Sequence, residues 1–158
     1  MTNGHEPLLE ECIEIAAPPA QVWAVVRDVR RMSEWSPQVE STRLRDAAPD
    51  VALGVEFTNL NSQGELQWKT HGTIVRLEPD REMAFRIAEN WAVWSFHLEP
   101  IALGTKLIER RETPDGLAPA AVQSVESFLG GQVAFSAATR GGMRRTLAAI
   151  KATVENEA

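Results

Sequence analysis

The chain is short of the residues that most chemistry on proteins requires. It holds one cysteine, Cys12, three histidines and no tyrosine among its 158 residues. A lone cysteine excludes an intrachain disulfide and a thiolate-rich metal site. Lying within an apolar-alternating stretch, Cys12 reads as a small buried hydrophobe. No segment approaches the ~18 uninterrupted apolar residues of a membrane span. Residues Met1 to Leu9 show no basic stretch followed by an apolar one, so no secretory signal is expected and residence in the cytoplasm is. Positive charge is also scarce: 16 Lys and Arg stand against 22 Asp and Glu, a formal net charge of -6. That sign opposes binding to nucleic-acid backbones or anionic lipid surfaces, both of which need clustered cations.

Missing motifs narrow the field further. His5, His71 and His97 form no H-x-H or H-x-x-x-H spacing, so no metal is expected. No G-x-x-x-x-G-K-[ST] loop and no G-x-G-x-x-G turn is present to cradle phosphates, and no cofactor is expected. There is no G-x-S-x-G elbow, and Cys12 has no activating neighbour in sequence. Arg140, Arg144 and Arg145, with Gly141-Gly142, read as the solvated basic face of a helix.

What remains is an ordinary globular composition, 44% hydrophobic and 24% charged, of a length that suits one domain over residues 1–158. Residues 1–8 are expected to form a flexible N-terminus. Leu9, Glu11, Ile13 and Ile15 alternate with Glu10, Cys12 and Glu14 as in a first strand, closed by Ala16-Ala17-Pro18-Pro19. Val22, Val25, Val26 and Val29 then mark a helix, and a second short helical piece runs to Trp35 before Ser36-Pro37. Six strand-like segments follow, roughly Gln38–Arg45, Gly54–Asn61, Glu65–Leu77, Glu82–Ala88, Trp91–Glu99 and Thr105–Glu112. The connections between them are too short for parallel crossovers, so neighbours are antiparallel.

The last third is helical by spacing: Val122, Val125, Leu129, Val133, and then Met143, Leu147, Ile150, Val154. In between, the stripe falls on the polar Ser136 and Thr139 or Arg140. A helix on a solid core should be apolar there, whereas one roofing a cavity need not be. Gly130-Gly131 and Gly141-Gly142 leave open a kink, a break into two helices or a close approach.

Ile15 to Asp28, with Val22-Trp23 inside it, followed by Met32-Ser33-Glu34-Trp35-Ser36-Pro37-Gln38-Val39, resembles the opening of START-like SRPBCC proteins. More narrowly it is similar to their polyketide cyclase/dehydrase-like branch. Trp94-Ser95-Phe96-His97-Leu98-Glu99-Pro100 with Gly104-Thr105 resembles the last paired strands of that family. The resemblance spans roughly residues 8 to 155. It implies an α+β helix-grip fold: a curved antiparallel seven-stranded sheet around a long C-terminal helix, with two short helices after the first strand. Function on such a scaffold lives in its pocket.

Alternation assigns the residues that would line a pocket. Phe57 and Asn59 share a face, as do Leu66, Trp68 and Thr70; Phe85 and Ile87; and Trp94, Phe96 and Leu98. On the last strand Leu107, Glu109 and Arg111 share a face, unless Lys106, Ile108 and Arg110 point inward instead. The helix would add Phe128, Val133, Phe135, Ser136, Thr139 and Met143. If Glu109 and Arg111 face inward they form a polar anchor, because a buried ion needs a partner, a ligand group or water. The first functional reading is a carrier of a small hydrophobic molecule, monomeric or homodimeric, without nucleic acid or stable membrane insertion. The second, implied by the resemblance, is an aromatase/cyclase-like enzyme in which Glu109 or His71 carries protons and Arg111 stabilises an enolate. A third is a regulator whose pocket gates a partner.

Overall fold

The structure, a computed structural model, is described for residues 7–119 and 131–157, with side chains in the second stretch from Ser136 onward, and opens with strand β1 (Leu8–Ile15). The Pro7 carbonyl accepts a hydrogen bond from Thr113 N at 3.1 Å, so the described end of the expected flexible terminus is tied to the sheet. Pro18-Pro19 turns the chain into helix α1 (Pro19–Val26), whose first turn loses nothing to proline because its N–H groups have no helical partner. A single 3-10 turn, started by Asp28 Oδ1 accepting from Arg30 N, leads into the four-residue α2 (Met32–Trp35).

Strands β2 (Val39–Leu44), β3 (Glu56–Gln63), β4 (Leu66–Glu78), β5 (Glu82–Ile87), β6 (Val93–Ile101) and β7 (Gly104–Glu112) follow as a meander. The sheet order is β1-β7-β6-β5-β4-β3-β2, with every neighbouring pair antiparallel. Register shifts between Val39 and Ser41 and between Ile74 and Arg76 bend it. This is the helix-grip arrangement, completed by helix α3 (Gly131–Glu157). The helix passes through Gly141-Gly142 without a break. Val122, Val125 and Leu129 lie outside the described residues.

Helix α3 runs in the same direction as β1, and its polar contacts set the register. Arg140 and Arg144 both hold Glu11, at 3.2 and 2.8 Å. Further along, Lys151 Nζ donates to the Glu14 carbonyl at 2.8 Å, and Glu155 accepts from Ala16 N at 2.9 Å. Lys151 therefore occupies part of the free edge of β1, which would otherwise invite another strand. Arg140 and Arg144 are thus a clamp on the sheet rather than the plain solvated face expected of them. Below the clamp, Met143, Leu147, Ile150 and Val154 are buried with Val22, Val26, Phe57 and Leu107. Cys12 departs from expectation: it is exposed. Alternation places it opposite Leu9, on the face of β1 that α3 does not cover, and strand geometry outweighs its preference for burial.

Candidate functional site

The register of the sheet turns the predicted faces into rows across the concave side, where the helices pack. One row reads Phe85, Trp94, Arg111, Leu9; the next Met83, Phe96, Glu109, Glu11; the next Leu98, Leu107, Ile13. On the far half, Phe57 pairs with Gly72, Asn59 with Thr70 and Asn61 with Trp68. The two readings left open for β7 are decided here. Leu107, Glu109 and Arg111 are all buried on the inner face, at 0, 5 and 3% exposure, while Lys106 and Arg110 are half-buried on the outer one.

The two halves treat their polar groups differently. On the far half they satisfy one another. Thr42 Oγ1 donates to Asn59 Oδ1 at 2.6 Å, the Asn59 amide reaches Met32 Sδ at 3.4 Å, and Asn61 Nδ2 donates to Thr70 Oγ1 at 3.0 Å. Asn59 and Thr70 are thereby engaged in bonds within the sheet and its covering helix. Leu66 is 70% and Trp68 37% exposed, so this end of the inner face is not covered by α3 among the described residues.

Among the described residues, buried polar atoms without a hydrogen-bond partner include Glu109 Oε1 on β7, Ser136 Oγ on α3, Trp35 Nε1 on α2 and Arg86 Nε on β5. Burial pushes the Glu109 carboxyl well above the usual carboxylate range, and the Glu11 carboxylate adds to it. Glu11 itself is held below that range, by its bond to Arg144 first and by Arg140 as well. Within this one row the two carboxyl groups are thus shifted in opposite directions.

Phe57, Phe85, Ile87, Phe96, Leu107 and Met143 are buried and Trp94 half-buried on this side. Phe57 and Phe85 meet edge to face at 5.4 Å. Ser136 is buried and Thr139 half-buried on α3. Phe128 and the side chains of Val133 and Phe135 lie outside the described residues. His71 is on the opposite side of the sheet, where its Nδ1 meets Glu89 Oε2 at 2.5 Å. Side chains alternate along β4, so His71 faces away from its neighbour Thr70 and cannot serve chemistry on the inner face. Trp35 is the residue that sequence reasoning left out. Its place in the Trp-x-Pro motif was visible, but its helix is too short for periodicity to show which way the ring points. The ring stands edge-on to Phe96, centroids 5.5 Å apart.

Two open surface depressions lie elsewhere. One of about 300 Å³ is bordered by Pro7, Glu10, Arg110 and Pro114, and one of about 230 Å³ by Gln21, Val25, Val154 and Glu157. Among the described residues no group of His, Cys, Asp and Glu is arranged to hold a metal, and no helix is long and apolar enough to cross a membrane.

The family described as polyketide cyclase / dehydrase and lipid transport matches residues 7–155. The chain belongs to that family. Consistent with this polyketide cyclase/dehydrase membership, a polyketide-cyclase-like protein of Corynebacterium glutamicum, solved by solution NMR, is 30% identical. The alignment covers 95% of this chain and 92% of that one, with a TM-score of 0.62. Two di-domain ARO/CYC proteins share the fold: StfQ of the steffimycin biosynthetic pathway (14% identity, TM-score 0.73) and BexL of the BE-7585A pathway (18%, 0.71). Those alignments cover 96 and 94% of this chain but only 51 and 50% of the others, so it corresponds to about half of each. No curated protein matches the chain significantly.

Proposed function

We propose that this protein binds a small, largely apolar molecule, of the lipid, polyketide or aromatic-metabolite kind, between the inner face of the sheet and α3, and carries or presents it. The observation that carries the reading is Glu109: an acidic side chain, 5% exposed, with an unpartnered oxygen, set among Met83, Phe96, Leu98 and Leu107 on the inner face. Burying an ionisable group costs several kcal/mol unless something compensates it, and aliphatic residues of the same size would fill the space more cheaply. Ionisable groups with strongly shifted protonation in an apolar site are functional candidates for that reason. Arg111, buried in the adjacent row, is the second member of the polar anchor. Membership of a family described by cyclisation, dehydration and lipid transport supports the same class of guest.

Native mass spectrometry of gently purified protein tests this, with a co-purifying apolar metabolite as the expected result. Repeating the measurement on Arg111→Leu should show the metabolite held roughly tenfold or more less tightly, the scale of a lost hydrogen bond to a charged group. Circular dichroism should show the fold retained at lower stability, because removing one member of a buried polar set leaves the others uncompensated. Unchanged occupancy would reject the anchor.

A second reading, an aromatase/cyclase-like activity, is favoured by one feature: burial shifts the Glu109 carboxyl toward its protonated form, which suits it to hand a proton to a carbonyl on the inner face. Turnover of a reactive poly-β-ketone that Glu109→Gln abolishes would support it. Binding without turnover would leave the carrier.

A further inference from the structure

Behind Phe96, on the outer face of the sheet, one nitrogen is claimed by groups with opposite requirements. Side chains alternate along β6, so Ser95 and His97 point away from the face that holds Phe96. His97 Nε2 lies 3.3 Å from Arg110 Nη1, 3.1 Å from Ser95 Oγ and 3.3 Å from Glu82 Oε2. A guanidinium can only donate, so the Arg110 bond requires a bare lone pair on Nε2 and places the ring proton on Nδ1. A carboxylate oxygen can only accept, so Glu82 is answered only when Nε2 carries a proton. No single protonation state serves both neighbours.

The cluster spans five strands. Glu82 Oε2 accepts from Arg76 Nη1 at 2.7 Å, and Arg110 Nε donates to Glu10. The charged groups facing His97 are Glu82 on β5, Arg76 on β4, and Arg110 and Glu112 on β7, with Glu10 on β1 beyond Arg110. Along the rows beside it stand Glu99 opposite Lys106, Glu78 opposite Glu82, and Cys12 on the far side of Ile108. The helices pack on the other side of the sheet and add none. The His97 side chain is 21% exposed, near enough to solvent to exchange protons and shielded enough for its neighbours to act on it. Burial holds the imidazole below the usual histidine range; Glu82 opposes this, and Arg110 and Arg76 reinforce it.

The same strands carry the polar anchor on their inner face. Arg110 stands between Glu109 and Arg111 on β7, and the register pairs Phe96 with Glu109 and Trp94 with Arg111. Once Nε2 holds a proton, the Arg110 bond is lost and two cations on β6 and β7 repel each other across 3.3 Å.

We propose that His97 is a proton-operated switch: neutral, it accepts from Arg110; protonated, it donates to Glu82, and the exchange loosens the β6–β7 pair on which the inner face grips its guest. The last clause rests on the reading of the inner face as a guest site; the exchange itself does not.

Proton NMR of the histidine rings tests it, with His97 assigned from the spectrum of His97→Gln. The wild-type ring should titrate below about 6.5, the ordinary histidine value. Arg110→Met should raise that midpoint and Glu82→Gln should lower it further. The peptide amides of Glu109 and Arg111 should shift with the same midpoint, and that step should be missing in His97→Gln. Naphthalene, which carries no charge at any pH, should bind about fivefold or more weaker once His97 is protonated, the lower end of coupling between two sites. That drop should be absent in His97→Gln. A ring midpoint that neither variant moves overturns the switch. So does an amide step, or a loss of naphthalene affinity, that is the same with and without His97. If naphthalene binds at no pH, the guest reading falls by itself, and the ring and amide titrations still decide the exchange.

Discussion

A Cβ placed on Gly72 would overlap the ring of Phe57, its register partner on β3. The glycine lets that ring lie flat across β4 and meet Phe85. Gly72→Ala should therefore destabilise the chain by roughly 1–3 kcal/mol, as overpacking does, read as a lowered midpoint in urea. Glu109 makes the opposite case, a residue that stability would gain by losing. Its folded pKa lies above its unfolded one, so the folded state binds the extra proton. Its contribution is fully present below the unfolded value, about 4.3, and is lost as pH rises through the raised one. Glu109→Gln should leave the thermal midpoint nearly unchanged at pH 4 and raise it at pH 8. A change of the same size at both pH values would show that the carboxyl is not held neutral. Alternation made Glu109 and Arg111 visible in the sequence as a pair sharing a face with Leu107. It could not say which face was inside, because Ile108 on the other side is also apolar and is itself buried.

Helix α3 closes over the inner face of the sheet and crosses β1. Spacing alone marked Met143, Leu147, Ile150 and Val154 as its buried stripe, and they are buried. The polar interruption at Ser136, Thr139 and Arg140 was equally legible, and it coincides with the stretch that faces Glu11 and its clamp. Among the described residues, a Cβ at Gly141 or Gly142 would meet nothing nearer than the Arg145 guanidinium, at 3.6 and 3.9 Å, so alanine fits at both. Replacing both should stabilise the chain by about 1 kcal/mol each, the intrinsic helical difference between glycine and alanine. If the pair lets the helix part from the sheet, the same double variant should also slow association of a small apolar guest in stopped flow. Gain in stability with unaltered kinetics would assign the glycines no part in opening. At the β1 edge, sequence pattern was silent. That Lys151 reaches the Glu14 carbonyl depends on the angle at which the helix crosses the strand, which no periodicity encodes.

For the molecule as a whole, two sets of carboxylates pull stability in opposite directions. Glu11 is held low by Arg144 and Arg140, and Glu34 by Arg31. A lowered pKa stabilises above the unfolded value and is lost as pH falls through the folded one, so these pairs weaken the fold in acid. Glu109 weakens it toward neutral and alkaline pH. Thermal unfolding across pH 3 to 9 should therefore peak in mildly acidic solution, and Glu109→Gln should move the peak upward. Added salt should flatten the acid limb most, since Glu11 and Glu34 lie near solvent where screening acts. The amino-acid sequence alone determined the order of elements, the antiparallel meander and the inward set on each strand, because those follow from periods of two and 3.6 and from short turns. Tertiary structure decided which half of the inner face leaves polar atoms unanswered. That outcome depends on α2 laying Trp35 against Phe96 and on α3 running parallel to β1, contacts between residues up to 139 positions apart that local pattern cannot carry.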